Sequence, residues 1–315
     1  MRDWNQFIEE TVEGIRRQTA DKPVLAALSG GVDSSVAAIL THRAVGGRLQ
    51  CLLVDTGLMR KNECDEVERV FRGQFDMRLA RVNAGERFMS RLAGVSEPEA
   101  KRKIIGDEFI NIFEEEAKKL GDIGFLMQGT IYTDVAESGK DGNAAIKAHH
   151  NVGGLPESLP FDGLVEPLRL LHKNEVRELG VKLGLPEHMA YRQPFPGPGL
   201  GVRVLGEITV EKLDILRDAD AIFREELERA GVASEQYFAV LTGIKSVGVR
   251  DGARIYGHVV ALRAVQSTDL ITADWVRVPH DALARASERI TGECKNVNRV
   301  VYDITPKPPG TIEWE

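Results

Sequence analysis

Residues 23–40 read PVLAALSGGVDSSVAAIL. The run Pro23 to Leu28 is short and apolar and predicts a buried strand, and Val36-Ala37-Ala38-Ile39-Leu40 predicts the opening of a buried helix. Between them stands Ser29-Gly30-Gly31-Val32-Asp33-Ser34-Ser35. A strand, a glycine-rich turn and a helix in this order form an anion site. Glycines let the backbone approach closely, amide N–H groups point inward, and the helix N-terminus adds partial positive charge. Ser29, Ser34 and Ser35 add hydroxyl donors.

Outward from this turn, residues 1–190 alternate strand-like and helix-like segments. Val24–Leu28, Leu49–Val54, Arg78–Val82 and Gly124–Met127 read as strands. Helical patterns occupy Val36–Val45, Lys61–Phe71, Arg87–Ala93 and Pro98–Leu120. The alternation predicts an α/β fold with a doubly wound parallel sheet, whose ligands bind at the carboxyl ends of the strands. The glycine turn sits at such an end, as do Asp55-Thr56-Gly57 and Gln128-Gly129-Thr130. Residues 138–163 are polar and glycine-rich with a weak pattern, and a loop this long is either functional or disordered. A helix returns at Lys173–Leu183 and stops at Gly184 and Pro186. Pro194-Phe195-Pro196-Gly197-Pro198-Gly199-Leu200-Gly201 excludes helix and central strand and marks a boundary. Residues 191–315 then read as a small α+β domain: helix Val210–Ala230, strands Tyr237–Ile244 and Ile255–Arg263, helix His280–Ile290 and strand Arg299–Ile304.

Composition narrows the function classes. A chain of 315 residues suits two domains, and 43% apolar with 28% charged residues is ordinary for a soluble globular protein. The formal net charge of −7 argues against a general nucleic-acid-binding surface. No apolar run reaches the ~18 residues of a membrane span. The start, Met1-Arg2-Asp3-Trp4-Asn5, lacks a signal-peptide pattern and looks like an amphipathic helix. Cys51, Cys64 and Cys294 form no CxxC pair, which argues against a zinc site or a disulfide framework and for a cytoplasmic location.

No lysine follows the glycines, so the turn is not a Walker A loop. It resembles the pyrophosphate-holding loop of the N-type ATP pyrophosphatases, which transfer AMP and release the β- and γ-phosphates together. Five fixed residues at frequencies of about 5–7% recur by chance roughly once in a million positions. Five further runs make the resemblance more specific: PEAKRKIIG (98–106), QGTIYTDVAES (128–138), IKAHHNVGGL (146–155), PFPGPGLGVR (194–203) and VVYDITPKPPGTIEWE (300–315). On these the chain resembles the synthetase portion of the GMP synthases almost end to end. The resemblance implies an ATP-pyrophosphatase domain followed by a dimerisation and XMP-binding domain. It implies a C–N-bond-forming ligase that uses ATP and Mg²⁺ to aminate XMP to GMP through adenylyl-XMP, releasing AMP and pyrophosphate. Many members carry a glutamine amidotransferase domain ahead of the phosphate loop. Here 28 residues precede Ser29, and no cysteine sits in a glycine-rich nucleophile turn. A stand-alone synthetase subunit is therefore expected, a homodimer fed with ammonia by a separate glutaminase chain.

Each candidate residue has a plainer alternative. Asp33 either braces its turn or helps to place Mg²⁺ among the phosphates. Asp134 and Glu137, three apart, share a helix face if residues 134–138 are helical, and they form either a solvated face or a Mg²⁺ pair. Lys101-Arg102-Lys103 reads as a solvated face, whereas in the family pattern the position of Arg102 contacts XMP. Lys140, Lys147, His149 and His150 are either ordinary loop charges or, as the resemblance implies, lid groups that close over the phosphates. The resemblance places Gly129 and Thr130 with residues 29–35 at ATP. It puts Val54 and Leu58 against the adenine, although Val54 fits the core equally well. It assigns Gln236, Lys307, Ile312 and Glu313 to XMP. The rivals are another N-type pyrophosphatase such as an NAD synthetase, which lacks the 194–201 loop and the closing run, and a non-catalytic nucleotide-binding subunit.

Overall fold

The computed structural model describes residues 2–138, 161–267 and 271–315. These residues fall into two compact units, one made of described residues within 2–57, 62–85, 106–138 and 161–192, the other within 58–61, 86–105, 193–267 and 271–315.

The first unit is built on five parallel strands: β1 (Val24–Ala27), β2 (Leu49–Asp55), β3 (Leu79–Asn83), β4 (Phe125–Met127) and β5 (Gly163–Val165). Their order is β3-β2-β1-β4-β5. The chain winds outward from β1 through β2 to β3, then returns to lay β4 on the other side of β1. The switch point, where ligands bind in such sheets, is therefore between β1 and β4. α1 (Trp4–Thr19), α2 (Val32–Val45) and α3 (Glu63–Glu68) accompany the first strands, and α3 continues as a wider turn over Arg69–Gln74. α4 (Gly85–Leu92) follows, and α5 (Pro98–Lys119) begins in the second unit and ends in the first. α6 (Tyr132–Ser138), α7 (Lys173–Leu183) and α8 (Glu187–Ala190) complete the unit.

Burial explains these choices. Val36, Ala37, Ala38, Ile39 and Leu40 are all at most 1% exposed. A helix apolar on every side must be covered on every side, and α2 packs on the sheet, α1 and α7. Leu25, Leu52 and Leu126 from three strands close against Phe113 and Ala117 of α5. The expected fold class is observed, and two details differ. α2 starts at Val32, not at Val36, because Gly31 at ψ 151° ends the turn and frees the next residues for helix. The fifth strand was not foreseen, because three residues beside a glycine-rich stretch carry no usable period.

The second unit holds the long strands β6 (Gln236–Arg250) and β7 (Ala253–Ser267) with β8 (Ala273–Trp275) and β9 (Val297–Tyr302), backed by α9 (Val210–Arg229) and α10 (His280–Glu293). β6 and β7 pair antiparallel, with a register shift between Leu241 and Lys245, and β9 joins β7 in parallel. Phe238, Val240 and Ala261 form a core cluster that Ile312 packs against. The hairpin runs further toward its tip than its apolar pattern predicts, because strand residues 244–256 are largely exposed. No helix among the described residues is long and apolar enough to cross a membrane.

Candidate functional site

In the first unit the glycine turn leaves β1 at the switch point. Gly30 takes φ +77°, a conformation that favours glycine. Gly31 is the N-cap of α2 without a side-chain cap, so the helix N-terminal N–H groups carry no hydroxyl or carboxylate lid there. Ser34 Oγ donates to the Gly31 carbonyl at 3.1 Å and lies 3.1 Å from Ser29 Oγ, which stiffens the turn. Ser35 is 1% exposed, and its Oγ has no partner among the described residues.

Asp33 stands in the first turn of α2, where its charge suits the helix dipole. Lys173 Nζ lies 2.6 Å from Asp33 Oδ2, across 140 residues of sequence. Asp33 Oδ1 is buried with no partner among the described residues. Lys173 was not foreseen. It is the first residue of α7, and a cation at a helix N-terminus opposes the dipole. That local conflict is the signal that marks it, since such conflicts gather at functional sites.

A second cation stands beside the turn. A Cβ placed on Gly30 would lie 3.8 Å from Arg192 Nη1 and 3.6 Å from Glu63 Oε1. Arg192 Nη1 donates to Glu63 Oε1 at 3.0 Å and also pairs with Glu66, which meets His188 Nε2 at 2.6 Å. Burial pushes the Glu66 carboxyl up, but Arg192 and His188 together outweigh it and hold Glu66 below the usual carboxylate range.

From β4, Gly129 presses directly on the turn. A Cβ there would come within 2.8 Å of the Ser34 nitrogen and 2.9 Å of the Asp33 carbonyl carbon. Thr130 is half-buried and follows it. α6 is helical as expected and starts earlier, at Tyr132. Asp134 Oδ2 accepts from the Ile131 N–H at 2.9 Å, so part of its carboxylate braces the entry to its own helix. Glu137 lies in this helix by its backbone, and its side chain is outside what is described. Lys140, Lys147, His149 and His150 also lie outside the described residues. Val54 is 4% exposed within β2 and is a core residue of the sheet. Leu58 is fully buried and packs in the second unit, where its carbonyl accepts the Leu200 N–H at 2.7 Å.

The second unit gathers the other candidates. Its chain end is gripped by three cations, each nearly or fully buried. Arg263 donates to the carbonyls of Thr305, Thr311 and Ile312 at 3.0, 2.7 and 2.8 Å and to Asp303 Oδ2 at 2.6 Å. Arg203 donates from Nε and Nη2 to the two oxygens of Glu313 at 3.1 and 2.8 Å. Lys101 Nζ reaches Glu315 Oε2 at 2.5 Å and the Val204 carbonyl at 2.7 Å. Burial pushes the Lys101 ammonium down against the pull of Glu315. The basic triplet 101–103 is therefore not a uniform solvated face: Lys101 is interior, and half-buried Arg102 pairs with Glu99.

Lys307 bridges Ala273 through its backbone, and Gln236 opens β6, half-buried. Glu313, with Asp303, Tyr302, Thr311, Trp314 and Arg263, borders a cleft of about 490 Å³. Lys307, Ile312 and Glu313 thus lie on one strapped segment, of which Ile312 turns inward to the core and Glu313 borders the cleft.

Residues 225–314 match the family described as GMP synthase C terminal domain, and residues 5–74 match the family described as Asparagine synthase. Curated relatives named GMP synthase [glutamine-hydrolyzing] align over 99% of this chain, at 60% identity in Acetivibrio thermocellus, 61% in Clostridium novyi and 59% in Ruminiclostridium cellulolyticum. The chain spans 62% of the length of each of these relatives. Among solved structures, an NH3-dependent NAD synthetase from Campylobacter jejuni covers 73% of this chain and 84% of its own, at 15% identity and a TM-score of 0.45. An NMN synthetase from Francisella tularensis covers 69% and 87%, at 15% identity and a TM-score of 0.48.

Proposed function

We propose that these 315 residues carry the ATP-using synthetase activity of a GMP synthase, aminating XMP to GMP. The observation that carries the reading is that GMP synthases align with the chain over 99% of its length at about 60% identity, so both units are included. The geometry supports it. The turn at 29–35 offers uncapped helix N–H groups and hydroxyls to phosphates, with Lys173 and Arg192 alongside. No lysine follows its glycines to reach a terminal phosphoryl group.

The C2 oxygen of XMP attacks the α-phosphorus of ATP, and the P–O bond to pyrophosphate breaks. Ammonia then attacks C2 of adenylyl-XMP and AMP leaves, so one poor leaving group is exchanged for a good one. The turn holds the departing pyrophosphate, and positioning with charge stabilisation is the chain's main contribution. Asp33 Oδ1, buried and without a partner among the described residues, is a hard oxygen donor of the kind Mg²⁺ takes. Asp33 with Asp134 and Glu137 would hold the ion, which when bound neutralises phosphate charge. In this reading Lys147, His149 and His150 serve the phosphates. Arg102, Gln236, Lys307, Ile312 and Glu313 serve XMP.

The nitrogen enters as ammonia from a separate glutaminase. Burial pushes the thiols of Cys51, Cys64 and Cys294 up to about 12. At neutral pH none is a thiolate able to open glutamine's amide. The second unit pairs with a copy of itself, a reading supported by the exposed apolar side chains Val247, Val249 and Tyr256 on one face of the β6–β7 hairpin. Light scattering checks this, and a monomeric mass would rule it out.

The test of the reaction is direct. The chain is incubated with XMP, ATP, Mg²⁺ and an ammonium salt, and products are separated. GMP, AMP and pyrophosphate in equal amounts are expected, with no GMP when glutamine replaces ammonium. ADP as the XMP-dependent product would sink the assignment.

Gly129→Ala is expected to raise KM for ATP by about tenfold or more. Its Cβ must displace the Ser34 backbone, and overpacking of this kind costs about 1–3 kcal/mol. KM for ATP and the thermal midpoint are measured together. An unchanged KM would show that the turn at Asp33-Ser34 does not bind the phosphates.

A further inference from the structure

We propose that Arg203 is a positioning residue for the purine substrate, acting through Glu313. It fixes that carboxylate so that its free lone pairs meet the N–H donors of the xanthine ring. The proposal rests on the reading of the second unit as the XMP-binding part.

Arg203 closes the PFPGPGLGVR segment and is 0% exposed. Its guanidinium lies 4.0 Å from the ring centre of Phe238 and 5.3 Å from that of Phe195. Phe238 is itself 0% exposed, so the cation is seated on a rigid aromatic floor. From there Nε and Nη2 hold both oxygens of Glu313, and Nη1 has no partner among the described residues.

A carboxylate torsion is normally broad. A fork holding both oxygens removes that freedom. An ionised carboxylate has about four lone-pair sites and only accepts, so about two remain after the fork is formed. They belong to a side chain that is 22% exposed and borders the cleft, while the cation behind it is sealed off. A buried ion pair is by itself weak evidence for a stabilising role. Here its buried partner aims its exposed partner.

The backbone around Glu313 is fixed independently. Arg263 holds the Ile312 carbonyl, Ile312 is packed on Phe238, Val240 and Ala261, and Lys101 holds Glu315. Loss of the Arg203 fork therefore releases the Glu313 side chain and leaves the strap in place.

Arg203→Lys keeps the charge and loses the fork. KM for XMP is expected to rise about tenfold, with kcat and KM for ATP nearly unchanged, the pattern of lost ground-state binding. Glu313→Gln is expected to raise the same KM, and adding Arg203→Lys to it should raise it little further, since both act through one contact. Additive effects, or a lower thermal midpoint with an unchanged KM for XMP, would overturn the proposal. Glu313→Asp withdraws the carboxylate by one methylene without touching Arg203, and serves if Arg203→Lys does not fold. It should also raise KM for XMP, and an unchanged value overturns the proposal. A wild-type chain without XMP-dependent turnover defeats the underlying reading and the proposal with it. A wild-type chain that turns over XMP beside variants with unshifted KM defeats the positioning role alone.

Discussion

Lys173→Met is expected to lower ATP-dependent turnover by about 100-fold, the usual cost of one preorganised charge at a reacting phosphate or oxyanion. Lys173 Nζ is 2.6 Å from Asp33 Oδ2, beside the glycine turn that the proposed function assigns to the phosphates. Without the ammonium, the Asp33 carboxylate faces the incoming phosphates uncompensated. The Lys173 side chain is 40% exposed, so its loss removes little packing, and the thermal midpoint should barely move. Lys173→Arg should recover part of the activity, since the charge returns with a different shape. Steady-state kinetics in ATP with a melting curve for each variant decide the matter. Near-wild-type kcat/KM in Lys173→Met would reduce the pair to an ordinary exposed ion pair, worth about 0–1 kcal/mol.

Gly199→Ala is expected to destabilise the second unit by about 2–5 kcal/mol, the sum of a left-handed alanine and an overpacked contact. Gly199 has φ +62°, and a Cβ there would lie 2.4 Å from the Leu58 carbonyl oxygen. That oxygen accepts the Leu200 N–H, and Leu58 is fully buried, so neither side can give way. Gly206 is the control. It has φ +75° with open space around a Cβ, so Gly206→Ala should cost only the backbone term, about 1–2 kcal/mol. Urea unfolding of both variants gives the comparison. Equal midpoints would show that the Leu58 contact adds nothing.

The strand, turn and helix around Ser29-Gly30-Gly31-Val32-Asp33-Ser34-Ser35 were legible because the interactions that build them are local. The same holds for α5, α7, α9 and α10, whose long apolar periods and stop residues fall close to their observed ends. Short β5 was not legible, nor was the passage of residues 58–61 and 86–105 into the second unit. Both depend on which distant surface covers a few apolar side chains, and a window of sequence does not contain that surface.

The sequence by itself determined the order of strands and helices, and hence a parallel sheet wound both ways with a glycine-rich turn at the end of its first strand. It also determined the need for glycine in the turn, because backbone conformation acts over a few residues, whereas the tight fit at Gly199 comes from the distant Leu58 carbonyl and belongs to the tertiary structure. Tertiary structure decided which charges meet. Lys173 reaches Asp33 across 140 positions and Arg203 reaches Glu313 across 110. Long-range ion pairs have no period and no fixed spacing, so nothing in the sequence joins Lys173 to Asp33 or Arg203 to Glu313. Burial changes their weight: a cation such as Arg203 or Lys101, withdrawn from water, needs a hydrogen-bonded partner, and only the folded chain supplies it.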